Sequence, residues 1–300
     1  MIRLYYIHKL KKRIKGRSFR GRVRIEKILT KLSPKMKNGM IVKTIYGDKL
    51  KIAPVFDRGI ERRLYNRGVY EEGTLWCFKK ILKKGDVVLD VGANIGLTTI
   101  RASKLIGEGG YVYAIEAMPS TFEILNFNTQ LNKLSNVSCF NIALADYVGK
   151  TDIFHNLDIN RGAASIYSES KQGGVEVDIT TLDQFVINNE LKTVDFIKID
   201  IEGAEYPMLI GGSNFFNKNK PIICVEFSKE VKSTYKPDLI FDLLKNTYSY
   251  RIFKQINGKE STSKLIEIKD ITELPNHDNL YCFQHNHFQN LQKDLFIVEL

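Results

Sequence analysis

The chain has 300 residues, 43 % of them apolar, enough for one sizeable α/β domain with chain to spare for an extension. Its net charge of +11 is concentrated at the start: residues 1–43 hold 15 Lys or Arg against one acid, Glu26, so the remainder is slightly acidic. The four widely spaced cysteines, Cys77, Cys139, Cys224 and Cys282, exclude a disulfide framework or a zinc ribbon, and no apolar run is long enough to cross a bilayer. A cytoplasmic protein is expected.

Residues 1–43 form a basic arm, with its densest block at Lys9–Lys15 followed by Arg17, Arg20, Arg22 and Arg24. Such a block serves as a solvated tail, or it seeks a polyanion. The solvated tail ranks first; an anionic membrane, with Tyr5, Tyr6, Ile7 and Leu10 in the interface, ranks next and would make the protein peripheral to the inner membrane face, and nucleic acid ranks last. The main body is placed at 44–284 and a tail at 285–300. From Met40 to Pro54 the alternation and the Gly47-Asp48 turn predict a small hairpin. Short helices follow, one over Arg58–Tyr70 and one after Glu72, where Leu75, Trp76, Phe78 and Ile81 recur at helical spacing.

The body is organised around Asp86–Ile100. Val87, Val88 and Leu89 predict a strand buried on both faces, Gly92 and Gly96 bracket a tight turn, and Leu97, Ile100, Leu105 and Ile106 continue as a helix. This strand–turn–helix opens a nucleotide-binding α/β fold. The spacing Gly92-x-x-x-Gly96 departs from the dinucleotide fingerprint. Asp90 is read as projecting into the space where a pyrophosphate would sit; it repels phosphate and suits a cation. A ligand with an adenosine, no phosphate and positive sulfonium and ammonium groups fits: S-adenosylmethionine. The next strand, Tyr111–Ile115, ends in Glu116, about 20 positions beyond the turn, where a carboxylate can bind both ribose hydroxyls.

Beyond Glu116, Pro119 and Ser120 open a helix, and Val137–Ile142 is a third strand ending at Asn141-Ile142-Ala143. Residues 149–179 change pattern to short strands and polar loops, a small β insertion expected to extend the sheet and partly cover the cofactor. His155 and Arg161 lie there, either facing a substrate or as surface loop residues. Thr181 is a candidate cap for the helix after it. Val194–Ile199 is the fourth strand and delivers Asp200, Glu202 and Glu205; Lys198 shares the face of Asp200 and needs it as a partner. Pro221–Phe227 carries Glu226 to the same end of the sheet, with Lys229 or the basic arm as its partner, and Tyr250–Phe253 with Leu280–Phe283 form an antiparallel edge. His285 and His287, at strand spacing, make no metal site without a third ligand.

Five segments, LDVGANIGLTT, AIEAMPS, NIALAD, TLDQF and FIKIDIEGAEYPMLIGG, occur in this order. Together they resemble the FkbM family of S-adenosylmethionine-dependent O-methyltransferases, from about Val69 to Phe227. The resemblance implies a doubly wound, mostly parallel seven-stranded sheet of the Rossmann-like class I methyltransferase type. It implies a cofactor set of Asp90, Gly92, Ala93, Asn94, Gly96 and Thr98 in the turn, with Glu116 and Ala117 after the second strand. Asn141, Ile142 and Ala143 would face the adenine edge, although Asn141 equally suits closing a turn. A tyrosine–glutamate pair close to the cofactor maps onto Tyr70 and Glu71, and a Gly-x-x-Ser pattern onto Gly162–Ser165; Glu71 and Glu72 also suit simple complementation of a helix N-terminus.

Methyl transfer from a sulfonium is an in-line displacement, so alignment supplies most of the gain, and a hydroxyl nucleophile also needs a base. Asp200 and Glu202 are the candidates, with Lys198 if burial lowers its pKa. Mg²⁺ held by two of the carboxylates is the alternative, not favoured because no third acid or asparagine is placed to complete an oxygen set; no metal ligand is assigned. The acceptor is expected to be a hydroxyl of a sugar, glycan or secondary metabolite. Two other readings stand beside it: a nucleic-acid (RNA) methyltransferase using the arm, and a non-enzymatic cofactor-binding scaffold. The first is weakened because Asp200-Ile-Glu-Gly203 replaces the Pro-Pro-aromatic motif that holds a flipped base.

Overall fold

The computed structural model describes residues 39–53, 59–154, 165–166, 174–229, 236 and 238–297, with positions 21, 24, 25 and 28 in the arm. The basic block, His155, Arg161 and Gly162 lie outside the described residues.

The centre is an eight-stranded sheet. Its strands are β3 (Val87–Val91), β4 (Tyr111–Ile115), β5 (Val137–Phe140), β9 (Phe196–Ile199), β10 (Ile222–Ser228), β11 (Arg251–Gln255), β12 (Leu265–Ile268) and β13 (His277–Phe283), in the order β12-β11-β13-β10-β9-β3-β4-β5. The pairings from β10 through β9, β3 and β4 to β5 are parallel; those among β10, β13, β11 and β12 are antiparallel. The doubly wound class I arrangement is therefore present with one strand more than the seven expected. The added edge, β12, is a short segment after the β11 turn, too brief to stand out by periodicity. Successive strands run β3, β4, β5 outward to one edge, then the chain returns to β9 on the other side of β3. The reversal makes the carboxyl ends of β3 and β9 the topological switch point.

Side-chain alternation divides the strands between two cores. Leu89, Val91, Ile197, Ile199, Ile223 and Val225 pack on one face with Leu182, Met208, Phe216 and Leu244. Val88, Phe196, Cys224, Tyr281 and Phe283 pack on the other with Cys77, Phe78, Ile81 and Ile106. Continuous apolar strands are the consequence of burial on both faces. In β3, β9 and β10 the buried charged exceptions, Asp90, Lys198 and Glu226, all fall on the second face.

The insertion departs from expectation. Ala143–Ala145 (β6), Gly149–Ile153 (β7) and Val175–Thr181 (β8) form a separate three-stranded sheet, in the order β6-β8-β7, and do not extend the central one. The chain leaves β5 at Asn141, whose amide donates to the carbonyls of Glu116 and Ala117 at 2.8 Å each, and that bend directs β6 away to pair with β8. Thr181 caps the following helix, accepting from the Gln184 amide at 3.1 Å. The hairpin Met40–Lys43 (β1) and Lys49–Ile52 (β2) forms as expected and is pinned to the helix Pro119–Leu131 through Asn128, which accepts from the Lys51 amide at 2.7 Å.

After β13 the chain does not continue as a strand. His285–Asn290 is a 3-10 turn in which the Gln284 amide donates to His287 Nδ1 at 3.0 Å. Leu291, Leu295 and Phe296 then bury against Phe253 and Phe283, so the described part of the tail belongs to the second core.

Candidate active site

Strand register brings the polar residues together. Asp90 on β3 lies directly opposite Lys198 on β9, and Lys198 lies opposite Cys224 on β10, one pleat before Glu226. With a side-chain period of two, Asp90, Lys198, Asp200 and Glu226 share one face at the carboxyl ends of three adjacent strands. The helix Glu72–Ile81 covers that face, and Glu71, at its N-terminus with φ 48°, points its carboxylate into the group.

Above the strand ends is a cleft lined by both polar and apolar side chains. Gly92, Asn94, Glu116, Ala117, Ile142, Ala143 and Leu144 line it on the glycine-turn side; Tyr70, Glu71, Asp200, Glu202 and Glu226 line the other. A smaller recess, lined by Ala93, Asn94 and Thr98, shares Tyr70, Glu71, Gly92 and Asp200 with it. Gly92, at φ +79°, must be glycine: a Cβ there would stand 1.8 Å from the Asp200 carbonyl oxygen. Its amide and that of Ala93 both donate to Ile115 O at 2.9 Å, which fixes the turn against β4. Gly96 starts the helix Leu97–Ile106 at φ +91° and does not line the cleft.

Glu116 is buried and accepts from the Asn94 amide at 2.9 Å and the Met118 amide at 3.0 Å. Burial raises its pKa to about 7, against those two donors. Asp90 differs from expectation. It is 1 % exposed and lies beneath the turn, with Oδ2 accepting from Thr98 at 2.9 Å and Thr99 at 2.6 Å. The two hydroxyls at the helix start draw the carboxylate inward, away from the cleft. Its other oxygen, Oδ1, is buried without a partner. Asn141 is likewise turned from the cleft, since its amide closes the bend described above, the second of its two readings.

The acids at the strand ends are not equivalent. Glu205 accepts from the Ile201 amide at 3.0 Å and, through both oxygens, from the Gly203 amide, so it holds its own turn together and leaves the cleft to Asp200 and Glu202. Lys198 donates to Asp200 at 2.9 Å. Burial favours a neutral lysine, but Asp200, Asp90 and Glu71 outweigh it and hold the ammonium above its ordinary pKa. This removes the condition under which Lys198 would act as a base. For Asp200 burial also works upward, but Lys198 and Lys259 keep the carboxyl below its usual range. Among the described residues Glu202 has no such cation in contact. Burial, Asp200 and Glu205 raise it to about 8. Glu202 sits at φ 50°, and Ser165 of the insertion donates to its carbonyl at 2.7 Å.

The residue that sequence reasoning missed is Lys259. It arrives from the loop between β11 and β12, 7 % exposed, with its ammonium 3.2 Å from Glu71 Oε1 and in contact with Glu226 Oε1. The loop is locked down: the Gly73 amide donates to Lys259 O at 2.9 Å, and the Lys259 amide donates to Asp278 at 2.8 Å. A lone lysine among Asn257, Gly258, Glu260 and Ser261 carries no sequence signal; only the tertiary closure places it. Among the described residues Glu226 thus pairs with Lys259, not with Lys229; the arm's basic block lies outside them. The expectation that no third acid lies beside Asp200 is also corrected, because ligand atoms of Glu71, Asp200 and Glu226 all fall within 4.8 Å of one another.

The family model described as "Methyltransferase FkbM domain" matches residues 90–252. Methyltransferase 1 of Beauveria bassiana is 28 % identical over 146 residues, covering 41 % of this chain and 57 % of its own. Ribosomal protein L11 methyltransferase of Caldanaerobacter subterraneus is 38 % identical over 86 residues, 27 % of each chain. The chain thus spans between about a quarter and somewhat over half of these relatives. The crystal structure of Methyltransferase FkbM from Methylobacillus flagellatus aligns with a TM-score of 0.44 at 16 % identity, over 67 % of this chain and 44 % of that one.

Proposed function

The chain belongs to the methyltransferase FkbM domain family, and on that footing we propose that it transfers a methyl group from S-adenosylmethionine to a hydroxyl of a sugar, glycan or secondary metabolite. The residues fit this cofactor: the Glu116 carboxyl and the turn residues Gly92 and Asn94 line one wall of the cleft, and beneath the turn an Asp90 oxygen is buried without a partner among the described residues. When bound, S-adenosylmethionine supplies an electrophilic methyl group on a sulfonium. Glu116 would hold the ribose hydroxyls, Ile142, Ala143 and Leu144 would form the apolar wall for the adenine, and Gly92, Ala93, Asn94 and Thr98 would line the path between them and Asp200.

The observation that carries the hydroxyl reading is the unequal proton affinity of two neighbouring acids. Asp200 is held ionised beside Lys198 and is a weak base; Glu202, raised to about 8, is the stronger base and takes up this role as it ionises toward pH 8. In our reading Glu202 takes the acceptor's proton as the oxygen attacks, while Asp200 and Lys198 orient the acceptor and stay charged. The cleft lining, rich in carboxyls (Glu71, Glu116, Asp200, Glu202, Glu226), favours a neutral acceptor over a phosphate-bearing one, which weighs against nucleic acid.

Labelled S-adenosylmethionine offered with a panel of neutral sugars and phenols tests this directly. Transfer to oxygen, lowered roughly 10²- to 10⁴-fold by Glu202→Gln with cofactor affinity nearly unchanged, is expected. Transfer to RNA nitrogen alone would overturn it. Among the described residues no helix is long and apolar enough to cross a membrane. We propose that the basic arm, +14 over residues 1–43, holds the enzyme against an anionic membrane. Deleting Met1–Lys37 should then abolish sedimentation with anionic vesicles and spare cofactor binding; unchanged sedimentation contradicts it.

A further inference from the structure

Three carboxyl groups, Glu71, Asp200 and Glu226, approach within 4.8 Å of one another at the end of the cleft. Left to themselves, acids so close repel, and oxygen donors in this arrangement suit a hard divalent cation. Here a cation already sits among them. The Lys259 ammonium touches Glu226 and stands 3.2 Å from Glu71, and Lys198 closes the other flank of Asp200 at 2.9 Å.

We propose that Lys259 is the resident cation of this cluster: a positioning residue that occupies the place of a divalent metal, fixes Glu71 and Glu226, and excludes metal from the cleft. The proposal deepens the methyl-transfer reading, in which it makes transfer independent of added metal. Burial, backbone anchoring and contact all point the same way. Lys259 is 7 % exposed, so its ammonium has no water shell to retreat to. Its carbonyl accepts from the amides of Gly73 and Thr74 at 2.9 and 3.3 Å, and its amide donates to Asp278 at 2.8 Å, so the backbone cannot swing the ammonium out. Thr74 and Lys259 between them engage both Glu71 oxygens, leaving that side chain one orientation. A lysine that merely tied a loop to the body would need one surface acid, not two buried ones.

The test is a Mn²⁺ titration followed by electron paramagnetic resonance, on the full chain without cofactor, at about pH 8, where fewer protons compete for the acids. Wild type should take up no Mn²⁺ that Glu226→Gln removes. Lys259→Met, which keeps the stem and deletes the charge, should gain Mn²⁺ affinity by roughly tenfold or more, and Lys259→Met combined with Glu226→Gln should lose that gain. Lys259→Arg should bind as little Mn²⁺ as wild type. Two results overturn the proposal: wild-type Mn²⁺ binding abolished by Glu226→Gln, or a folded Lys259→Met with no gain. The first needs no lysine variant to fold. Calorimetry with S-adenosylmethionine on the same wild-type sample separates this question from the methyl-transfer reading, because loss of cofactor binding would sink that reading and leave the Mn²⁺ result standing.

Discussion

Asp200 and Glu202 are two residues apart, yet their proton affinities move in opposite directions. Each is pushed upward by burial, but Asp200 faces Lys198 and Lys259, while Glu202 faces the negative charges of Asp200 and Glu205. Two consequences can be measured. Methyl transfer limited by Glu202 should rise with pH and level off above about pH 8, and Glu202→Gln should remove that dependence. Folding should respond with the opposite sign: Glu116 and Glu202 bind protons more tightly folded than unfolded. Stability should therefore fall as pH rises from the ordinary 4.5 through about 7 for Glu116 and about 8 for Glu202. A thermal midpoint that rises across this window would contradict the assignment. Asp200→Asn strips Lys198 of its contact and should cost about 3 kcal/mol by chemical denaturation, partly recovered in Asp200→Asn with Lys198→Met. Lys198 and Asp200 were legible from the sequence as a pair because a charge interrupting an apolar strand demands a partner on the same face. The preference for Glu202 over Asp200 was not, because it depends on burial and on Asp200, not Glu202, lying against the Lys198 ammonium, which only the folded turn decides.

At the scale of elements, the site is a junction of two tight approaches. The first, β3 and its turn against β9, depends on Gly92. Gly92→Ala combines a left-handed φ with a Cβ 1.8 Å from the Asp200 carbonyl, and should cost about 3 kcal/mol or more together with cofactor binding. The second is the β11–β12 loop against the start of the helix Glu72–Ile81. A Cβ at Gly73 would meet Ser261 O at 2.5 Å and Lys259 O at 2.8 Å. Gly73→Ala should therefore lift the loop, displace Lys259 and reproduce the Mn²⁺ uptake of Lys259→Met, with a loss of about 1–3 kcal/mol. The first junction was visible in the sequence because strand, glycine turn and helix are contiguous. The second joins Gly73 to a loop almost two hundred residues later, and neither partner has a motif of its own. Asp90 shows the limit of reading direction from position: its place at the strand end was clear, but the pull of the Thr98 and Thr99 hydroxyls, which turns it inward, follows only from the helix geometry.

Across the whole molecule, charge and architecture are divided. The arm carries the excess of positive charge, while the body gathers its acids at one end of the sheet, beside the switch point. The parallel half of the sheet was legible because strands buried on both faces spell continuous apolar runs. The insertion's separate sheet and the buried tail were not, since short strands and an isolated Phe296 gain their stability from long-range packing. What unites the account is the claim that the Glu116 side of the cleft holds S-adenosylmethionine. Calorimetric titration of wild type and Glu116→Ala with S-adenosylmethionine at about pH 8 tests it most directly, where the carboxyl is ionised. Binding in the micromolar range, weakened by roughly tenfold or more in Glu116→Ala, is the predicted result. No binding by wild type, or equal binding by both proteins, would contradict it.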